Sequence, residues 1–426
     1  MLFMGEEQQP EVTNKRSLIL NFGNLAFGEY ASRIFGFFTS VYLARVLGVE
    51  GFGMYGFVSS VATYFILFSN FGIEQFSSMK VASSRTALKE NIVGKVIGTR
   101  LILSAVFIIP FIIFGILYAS SETIVLLFLS QTVFIAACAF NMQFYFIALK
   151  DLSILSITKI AASSFIFLGT ILFVSETPDL PLAALIVGVV TLVTMLGSVK
   201  YIVHRNDWDG TLPNFASIRT MVVAAAPLGL SALMIQIYHS SDIIFLGFTH
   251  AGTELGYYTG AYRIISVLST VPMMFFMAFL PDLAKINKHY FISRRTKQYI
   301  TTVIVSGGVI TGIFFLFAKE VIHLLLGEMY LPAREVFQVL LINVFVVFVN
   351  VAMSNLLIAW NRHKQYLIVV SAGAVINIIG NIIFIPAYGI MGAAVATVLA
   401  ECTVLISTLY FHIRLHGLFS SNDITV

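Results

Sequence analysis

Long apolar stretches separated by short polar connectors run through almost the whole chain, from residue 17 to residue 412. About twelve of them have the length of roughly 20 residues that a helix needs to cross the hydrocarbon core of a bilayer. Because lipid offers no hydrogen-bonding partner to the backbone, such stretches are expected to be helical. The predicted spans are 17–41, 52–71, 92–117, 123–146, 154–173, 182–203, 220–246, 257–280, 299–318, 336–357, 366–385 and 391–413.

The composition supports an all-α integral membrane protein. Hydrophobic residues make up 58% of the 426 residues, charged residues make up 11%, and the mean hydropathy is +0.92. A soluble domain of this length does not carry such a balance. Both cysteines, Cys138 and Cys402, fall inside apolar spans, which argues against a disulfide framework or a metal cluster.

Lysine and arginine are concentrated in alternate connectors. Because short connectors rich in these residues stay on the cytoplasmic side, both chain termini are predicted to be cytoplasmic. The net charge of +4 is therefore interpreted as a signal of membrane topology, and nucleic acid is not expected as a partner. Membrane lipids are expected around the spans.

The chain divides into two halves of about six spans each at the charged connector 204–219. Gly53-Met54-Tyr55 and Gly256-Tyr257-Tyr258 occupy matching points of the halves, offset by about 203 residues. We therefore predict two lobes, 17–203 and 220–413, related by a pseudo-two-fold axis along the membrane normal, with a central cavity. Residues 1–16 and 414–426 are predicted cytoplasmic tails, and 204–219 is a cytoplasmic linker.

Charged residues inside membrane spans are costly and commonly face a cavity or a partner. In the first span Glu29 and Arg33 lie one helical turn apart, and Asn24 belongs to a neighbouring polar strip. Two interpretations remain open. Either Glu29 and Arg33 neutralise each other and serve packing, or Arg33 faces an aqueous cavity and Glu29 modulates the electrostatic effect of Arg33.

The second half carries its own intramembrane charges. Asp242 in the seventh span and Arg263 in the eighth lie at comparable depth and are expected to be able to pair. Two interpretations of such a pair remain open: a gate that breaks and re-forms, or a permanent structural contact. Gln236 adds polarity to the seventh span. Arg33 and Arg263, one per half, suit an anionic substrate such as a pyrophosphate, since guanidinium binds phosphate bidentately and stays charged. Arg33, Arg263, Asn24 and Gln236 are the predicted substrate-binding residues.

Motifs for nucleotide hydrolysis, zinc binding or Ser-His-Asp chemistry do not stand out in the sequence. The predicted external connectors are short, which leaves no room for a soluble catalytic domain. We therefore expect neither an enzyme nor a cofactor or metal. Glu29 and Asp242 are the candidates for ion coupling or gating.

Several short runs in a fixed order resemble one family. They are 42–48 with 51–55, 227–231, Asp242, 256–258, 261–263, 280–281, 374–381 and 386–394. Together they resemble the polysaccharide flippases of the multidrug/oligosaccharidyl-lipid/polysaccharide exporter superfamily, over nearly the whole chain.

The resemblance implies a twelve-helix flippase that moves an undecaprenyl-diphosphate-linked oligosaccharide to the periplasmic leaflet by alternating access, driven by an ion. It implies that Arg33 and Arg263 lie in the central cavity, and a polysaccharide polymerase and a chain-length regulator are possible partners. The alternatives are a multidrug or small-molecule antiporter of the same superfamily, a lipid-II-type flippase, and a membrane glycosyltransferase or polymerase.

Overall fold

The computed structural model describes residues 15–83, 91–205, 207–208, 213–283 and 293–420, with side chains from Phe27 to Arg414. These residues form α-helices and two short 3₁₀ segments, without a strand. The parts of the predicted tails before residue 15 and after residue 420 lie outside the described residues, as do residues 206 and 209–212 of the predicted linker.

Fifteen helices are numbered here in chain order. The first eight are α1 Lys15–Val46, α2 Gly48–Asn70, α3 Ile73–Ser83, α4 Ile92–Tyr118, α5 Glu122–Cys138, α6 Gln143–Ala148, α7 Leu152–Phe173 and α8 Leu180–His204. The others are α9 Phe215–Thr249, α10 Thr253–Leu268, α11 Val271–Leu283, α12 Arg294–Leu316, α13 Ala318–Leu326, α14 Arg334–Ala359 and α15 His363–Ser420. The 3₁₀ segments are Thr177–Asp179 and Glu328–Ala333.

Ten helical stretches of the described residues are long and apolar enough to cross a membrane. The last, His363–Arg414, has 52 residues and as a straight helix would measure about 78 Å, more than twice the hydrocarbon thickness. It bends at Gly389, whose φ of 53° and ψ of −132° are not helical, so α15 contains two crossings. Helix α1, with 32 residues, is long enough for one more. With α15 counted as two crossings and α1 added on its length, the described helices offer twelve crossings, the predicted number.

The predicted span 257–280 is not one continuous helix. Helix α10 ends at Leu268 and α11 begins at Val271. Pro272 is the second residue of α11, and a proline is tolerated in the first turn of a helix because its missing N–H would have no partner there. The chain thus breaks beside Pro272, whereas Pro227 lies within the continuous helix α9.

The helices form two groups that correspond to the two halves of the sequence. In the N-lobe, α1–α8, helix α1 packs on α7 and α5 packs on α8; in the C-lobe, α9–α15, helix α14 packs on α12 and α15, and α9 packs on α15. The two lobes meet chiefly where α2 packs against α9 and α10.

The two copies of the Gly-x-Tyr repeat touch each other at this interface. A Cβ atom added to Gly53 would lie 2.6 Å from the backbone N of Gly256, and one added to Gly256 would lie 2.0 Å from the carbonyl O of Val49. Gly56 and Thr259 are also offset by 203 residues, and a Cβ on Gly56 would lie 2.4 Å from Thr259 Cγ2. Equivalent positions of the two halves therefore face each other, as the predicted pseudo-two-fold axis requires.

Hydrogen bonds also join the lobes at the end of the molecule formed by the α1–α2 and α9–α10 turns, here named the turn end. The Arg45 guanidinium, at the end of α1, donates through Nε to the carbonyl O of Leu325 at 3.0 Å and through a second nitrogen to that of Leu324, at the end of α13. The Tyr330 hydroxyl donates to the carbonyl O of Gly48 at 3.3 Å. The lobes are thus closed on each other at the turn end.

We predict that Gly256→Ala loosens this interface. The new methyl group overlaps the carbonyl of Val49, and overpacking of this kind costs about 1–3 kcal/mol. The measurement is the midpoint of thermal unfolding of the purified protein in detergent, which should fall. Gly312→Ala is the matched control, because a Cβ at Gly312 meets nothing within 4 Å. Equal midpoints for the two variants would contradict the tight approach of α2 and α10.

Candidate functional site

A cavity of about 270 Å³ lies between the two lobes. The N-lobe contributes Arg33, Gly36 and Phe37 from α1. The C-lobe contributes Arg263, Ser266 and Val267 from α10, with Thr270 from the break before α11. The two intramembrane arginines singled out from the sequence therefore line one cavity, one from each lobe.

Arg33, which lines the cavity, belongs to a group of three neighbouring charges. Its guanidinium lies 3.0 Å from Glu29 Oε1, and the other oxygen of Glu29 lies 2.7 Å from Nζ of Lys159 on α7. The Arg33 side chain is 48% exposed and that of Lys159 is 28% exposed. A single carboxylate therefore holds two cations, which is more than the Glu29–Arg33 pair predicted from the sequence.

Lys159 is turned towards α1, because α7 packs along α1 and Glu29 offers a partner at the contact. The signal was present, since a lysine inside a predicted span is itself a candidate for function.

Arg263 has a different environment from Arg33. In the part of the chain that the structure describes, no carboxylate lies within 4 Å of its guanidinium. The cavity lining thus contains two cations, Arg33 and Arg263. Glu29 and Lys159 lie next to Arg33, and these four groups together carry a net charge of +2. An anion that enters this space would meet Arg263 without displacing a carboxylate from it.

The expected ion pair between Asp242 and Arg263 is not formed, and that prediction is wrong. Asp242 is only 3% exposed and accepts hydrogen bonds from neutral groups. Its Oδ1 accepts from Asn381 at 2.6 Å and from Asn377 at 3.3 Å. Its Oδ2 accepts from the Tyr258 hydroxyl at 2.8 Å and from Thr397 at 2.6 Å.

The reason is the side of α9 on which Asp242 lies. Helix α9 packs against α15, so that Asp242 points into the C-lobe towards both halves of α15, whereas Arg263 on α10 borders the cavity between the lobes. The offset of 203 residues matches Asp242 to Thr39 of the N-lobe. The buried carboxylate at this position is therefore a property of the C-lobe alone.

The two predicted amide ligands are not placed at the cavity. Gln236 donates through Nε2 to Ser240 Oγ at 2.6 Å, one turn along α9, and it is absent from the cavity lining. Asn24 lies in α1 before Phe27, outside the described side chains. The substrate-binding roles predicted for these two residues stay predictions.

Arg100 lies in α4, and its side chain is 1% exposed. It donates to Asn70 Oδ1 at 3.0 Å and to the carbonyl O of Asn141, and lies 3.5 Å from Glu74 Oε2. These contacts join the break between α2 and α3 to the break between α5 and α6, so that Arg100 supplies donors to backbone that helices leave unsatisfied.

We predict that Asp242→Ala destabilises the protein by about 1–3 kcal/mol, because the buried Tyr258 hydroxyl loses its acceptor. Asp242→Asn, which keeps an acceptor oxygen, should cost less. The midpoint of thermal unfolding in detergent measures both. Asp282→Ala is the control. Asp282 is 48% exposed and lies 3.8 Å from Arg295, and a surface ion pair of this kind contributes little to the free energy of unfolding. A control that unfolds as early as Asp242→Ala would contradict the assigned role.

Comparisons with known proteins place this geometry in a known fold. A protein of Escherichia coli (strain K12) named "Putative O-antigen transporter" is 22% identical over 411 residues, which cover 94% of this chain and 97% of that protein. The structure of the lipid II flippase MurJ in an inward closed conformation superposes with a TM-score of 0.73 at 16% identity, covering 94% of this chain and 93% of that one.

An inward-facing multidrug resistance MATE family transporter of the MOP superfamily gives a TM-score of 0.68 at 15% identity, with 92% of this chain and 96% of that one covered. The predicted fold class, an all-α membrane protein of two helical lobes, is confirmed. The family model described as polysaccharide biosynthesis protein matches residues 18–287. The chain belongs to this polysaccharide biosynthesis protein family, as the sequence runs that resemble the polysaccharide flippases predict.

Proposed function

We propose that this chain is a flippase that moves an undecaprenyl-diphosphate-linked oligosaccharide from the cytoplasmic to the periplasmic leaflet of a bacterial inner membrane. The two lobes would alternate in opening the cavity to each side. The observation that carries the proposal is that Arg33 and Arg263, one from each lobe, line one cavity. The family and its transporter relatives support the same class of function.

The charges of the cavity suit a diphosphate. A guanidinium binds phosphate oxygens bidentately and stays charged in a low-dielectric site, so each arginine can hold one phosphate group. Arg263 has no carboxylate to give up, whereas Arg33 and Lys159 share Glu29. A diphosphate between the lobes would thus compete with Glu29 for its two cations and would bind to both lobes at once.

Glu29 accordingly has a gating role in the proposal. In the empty cavity it neutralises part of the charge of Arg33 and Lys159, which reduces their cost in the membrane. When substrate leaves, Glu29 can take both cations back. This exchange lowers the barrier to release, because the cations are never left without an anion.

Asp242 is the residue that we assign to ion coupling. Its carboxylate lies in the C-lobe between α9, α10 and both halves of α15. A proton or a monovalent cation that binds there changes the charge of a buried group, and therefore the packing of the helices around it. Because α9 and α10 also pack against α2, such a change would be passed to the lobe interface.

The predicted topology assigns the two ends of the molecule to the two sides of the membrane. The turn end lies opposite the connectors rich in lysine and arginine, so we assign it to the periplasmic side. The conformation described here, with its lobes joined at the turn end, is then closed to the periplasm. A polysaccharide polymerase and a chain-length regulator are the proposed users of the delivered glycan.

A multidrug antiporter with the same fold is the alternative. A cavity for cationic drugs would be expected to present carboxylates, whereas this one presents two arginines and no unshared carboxylate among its described residues. A glycosyltransferase or polymerase belongs to a different class, and no catalytic role is assigned to this chain.

The test is export of a labelled lipid-linked oligosaccharide by a deletion strain that carries this chain or a variant. Arg33→Ala and Arg263→Ala should each lower export about tenfold to a hundredfold, since a hydrogen bond to a charged group contributes about 1.5–3 kcal/mol. The lysine variants should fall between alanine and wild type, because lysine keeps the charge but loses the bidentate geometry.

Arg334→Ala is the matched control, an exposed arginine at the start of α14, and should export normally. Drug tolerance of the same strains should not change. Full export with both cavity arginines replaced would exclude the proposed diphosphate binding. Loss of drug tolerance with intact glycan export would instead favour the antiporter.

A further inference from the structure

A second buried carboxylate lies in the C-lobe, in the part of α15 that follows the bend at Gly389. Glu401 is 9% exposed. Its Oε1 accepts a hydrogen bond from the Tyr238 hydroxyl of α9, and its Oε2 accepts one from Nδ2 of Asn350 on α14. The same Nδ2 also donates to the backbone O of Glu401 at 2.9 Å.

Asp242 and Glu401 form two layers between α9 and α15. Tyr238 and Asp242 are one turn apart on α9, and Thr397 and Glu401 are one turn apart on α15. Thr397 contacts Asp242 and Tyr238 contacts Glu401. Four residues of helix correspond to a rise of about 6 Å, so the two carboxyl groups belong to neighbouring layers of the same interface.

No cation among the described residues balances Glu401: no Lys, Arg or His nitrogen of these residues lies within 4 Å of its carboxylate oxygens. The ionisable groups that face it are the hydroxyls of Tyr238 from α9, Tyr262 from α10 and Tyr366 from the first half of α15. Asp242 belongs to the neighbouring layer. Helix α14 offers the neutral amide of Asn350, and His239, the neighbour of Tyr238 on α9, is exposed.

An ionised carboxylate in this position would be costly. Removing a charge from water costs several kcal/mol unless an opposite charge compensates it. A buried group in this situation binds a proton and becomes neutral. The two neutral hydrogen bonds from Tyr238 and Asn350 do not supply the missing charge.

The partners of Glu401 also fit the acid form. A hydroxyl oxygen accepts as well as donates, so Tyr238 can remain bonded when Oε1 carries the proton. The Oδ1 atom of Asn350 is buried without a hydrogen-bond partner. A carboxylic acid whose one O–H is directed to Asn350 rather than to Tyr238 would supply a donor to this oxygen, which an ionised carboxylate cannot do.

We propose that Glu401 is a proton-binding site, separate from Asp242, and that it is protonated in the conformation closed at the turn end. The step is the binding of one proton from water to one carboxylate oxygen, which yields the neutral acid. When α9, α14 and α15 separate enough to admit water, the proton leaves and the carboxylate is hydrated. This role rests on the proposed transport function, which it extends by a second ion site.

The experiment is infrared difference spectroscopy of the purified full-length protein in lipid nanodiscs. The C=O stretch of a protonated carboxylic acid is separate from the bands of an ionised carboxylate. At neutral pH and without sodium, the wild-type protein should show an acid band that Glu401→Gln lacks. Glu320→Gln, which changes an exposed glutamate of α13, is the matched control and should keep the band.

A second pair of variants keeps the test decisive if Glu401→Gln folds poorly. Tyr238→Phe removes a hydrogen bond but no carboxyl group, so the acid band should persist at a shifted frequency. Asp242→Asn should leave the band in place. An acid band that survives in Glu401→Gln, is unmoved in Tyr238→Phe, or is lost in Asp242→Asn would overturn the assignment, and so would its absence from the wild type.

Sodium distinguishes the proposed ligand from a metal cation. Addition of sodium chloride, compared with choline chloride at the same ionic strength, should leave the Glu401 band unchanged. Loss of the band with sodium would mean that the site binds the metal ion in place of a proton. The spectroscopic result does not depend on glycan export: an intact band in a chain that exports no glycan would reject the proposed flippase function and leave the proton site standing.

Discussion

In the low dielectric of a bilayer an uncompensated charge is costly in free energy. This cost determines which groups the charged side chains of this protein contact. A charge inside the membrane needs an opposite charge, several hydrogen-bond partners or access to water. Glu29 binds both Arg33 and Lys159, and Arg100 binds Glu74 together with an amide and a backbone carbonyl. Among the described residues, Arg263 and Glu401 are the intramembrane charges without such full compensation. Binding of an anionic ligand at Arg263 and of a proton at Glu401 would therefore supply it.

The two lobes share a backbone plan but differ in chemistry. Equivalent helices meet at the Gly53 and Gly256 contact, and the offset of 203 residues relates two pairs across the interface. Among the described residues, the buried carboxylates are Asp242 and Glu401, both in the C-lobe, while Thr39 stands at the position that matches Asp242. In our proposal the cavity between the lobes binds the anionic substrate, and the interior of the C-lobe binds the ions that drive its movement.

The interface between the lobes explains how these two regions can act together. Helices α9 and α10 carry residues of the Asp242 layer on their C-lobe side, and both pack against α2 of the N-lobe. Helix α10 also carries Arg263 at the cavity. A change in the charge of Asp242 or Glu401 therefore acts on helices that already form part of the lobe contact and of the substrate site.

The sequence predicted the fold in most of its parts, because the signals are local. Membrane thickness fixes the length of a span, so that hydropathy alone predicted the long helices, ten of which are long and apolar enough to cross a membrane in the part of the chain described, and the repeat at Gly53 and Gly256 indicated two related halves. The break beside Pro272 was the main departure, since a proline marks a place where the backbone can change direction without fixing whether it bends or ends a helix.

The sequence by itself determined which residue types enter the membrane: Arg33, Arg263, Glu29 and Asp242 were all recognised as costly, and therefore as candidates. Only the tertiary structure decided their partners. Lys159 reaches Glu29 because α7 packs along α1, and Asp242 turns away from Arg263 because α9 packs on α15. Hydropathy measures the transfer of one residue into lipid, whereas pairing depends on the rotation of each helix about its axis, which is set by contacts between residues far apart in the chain.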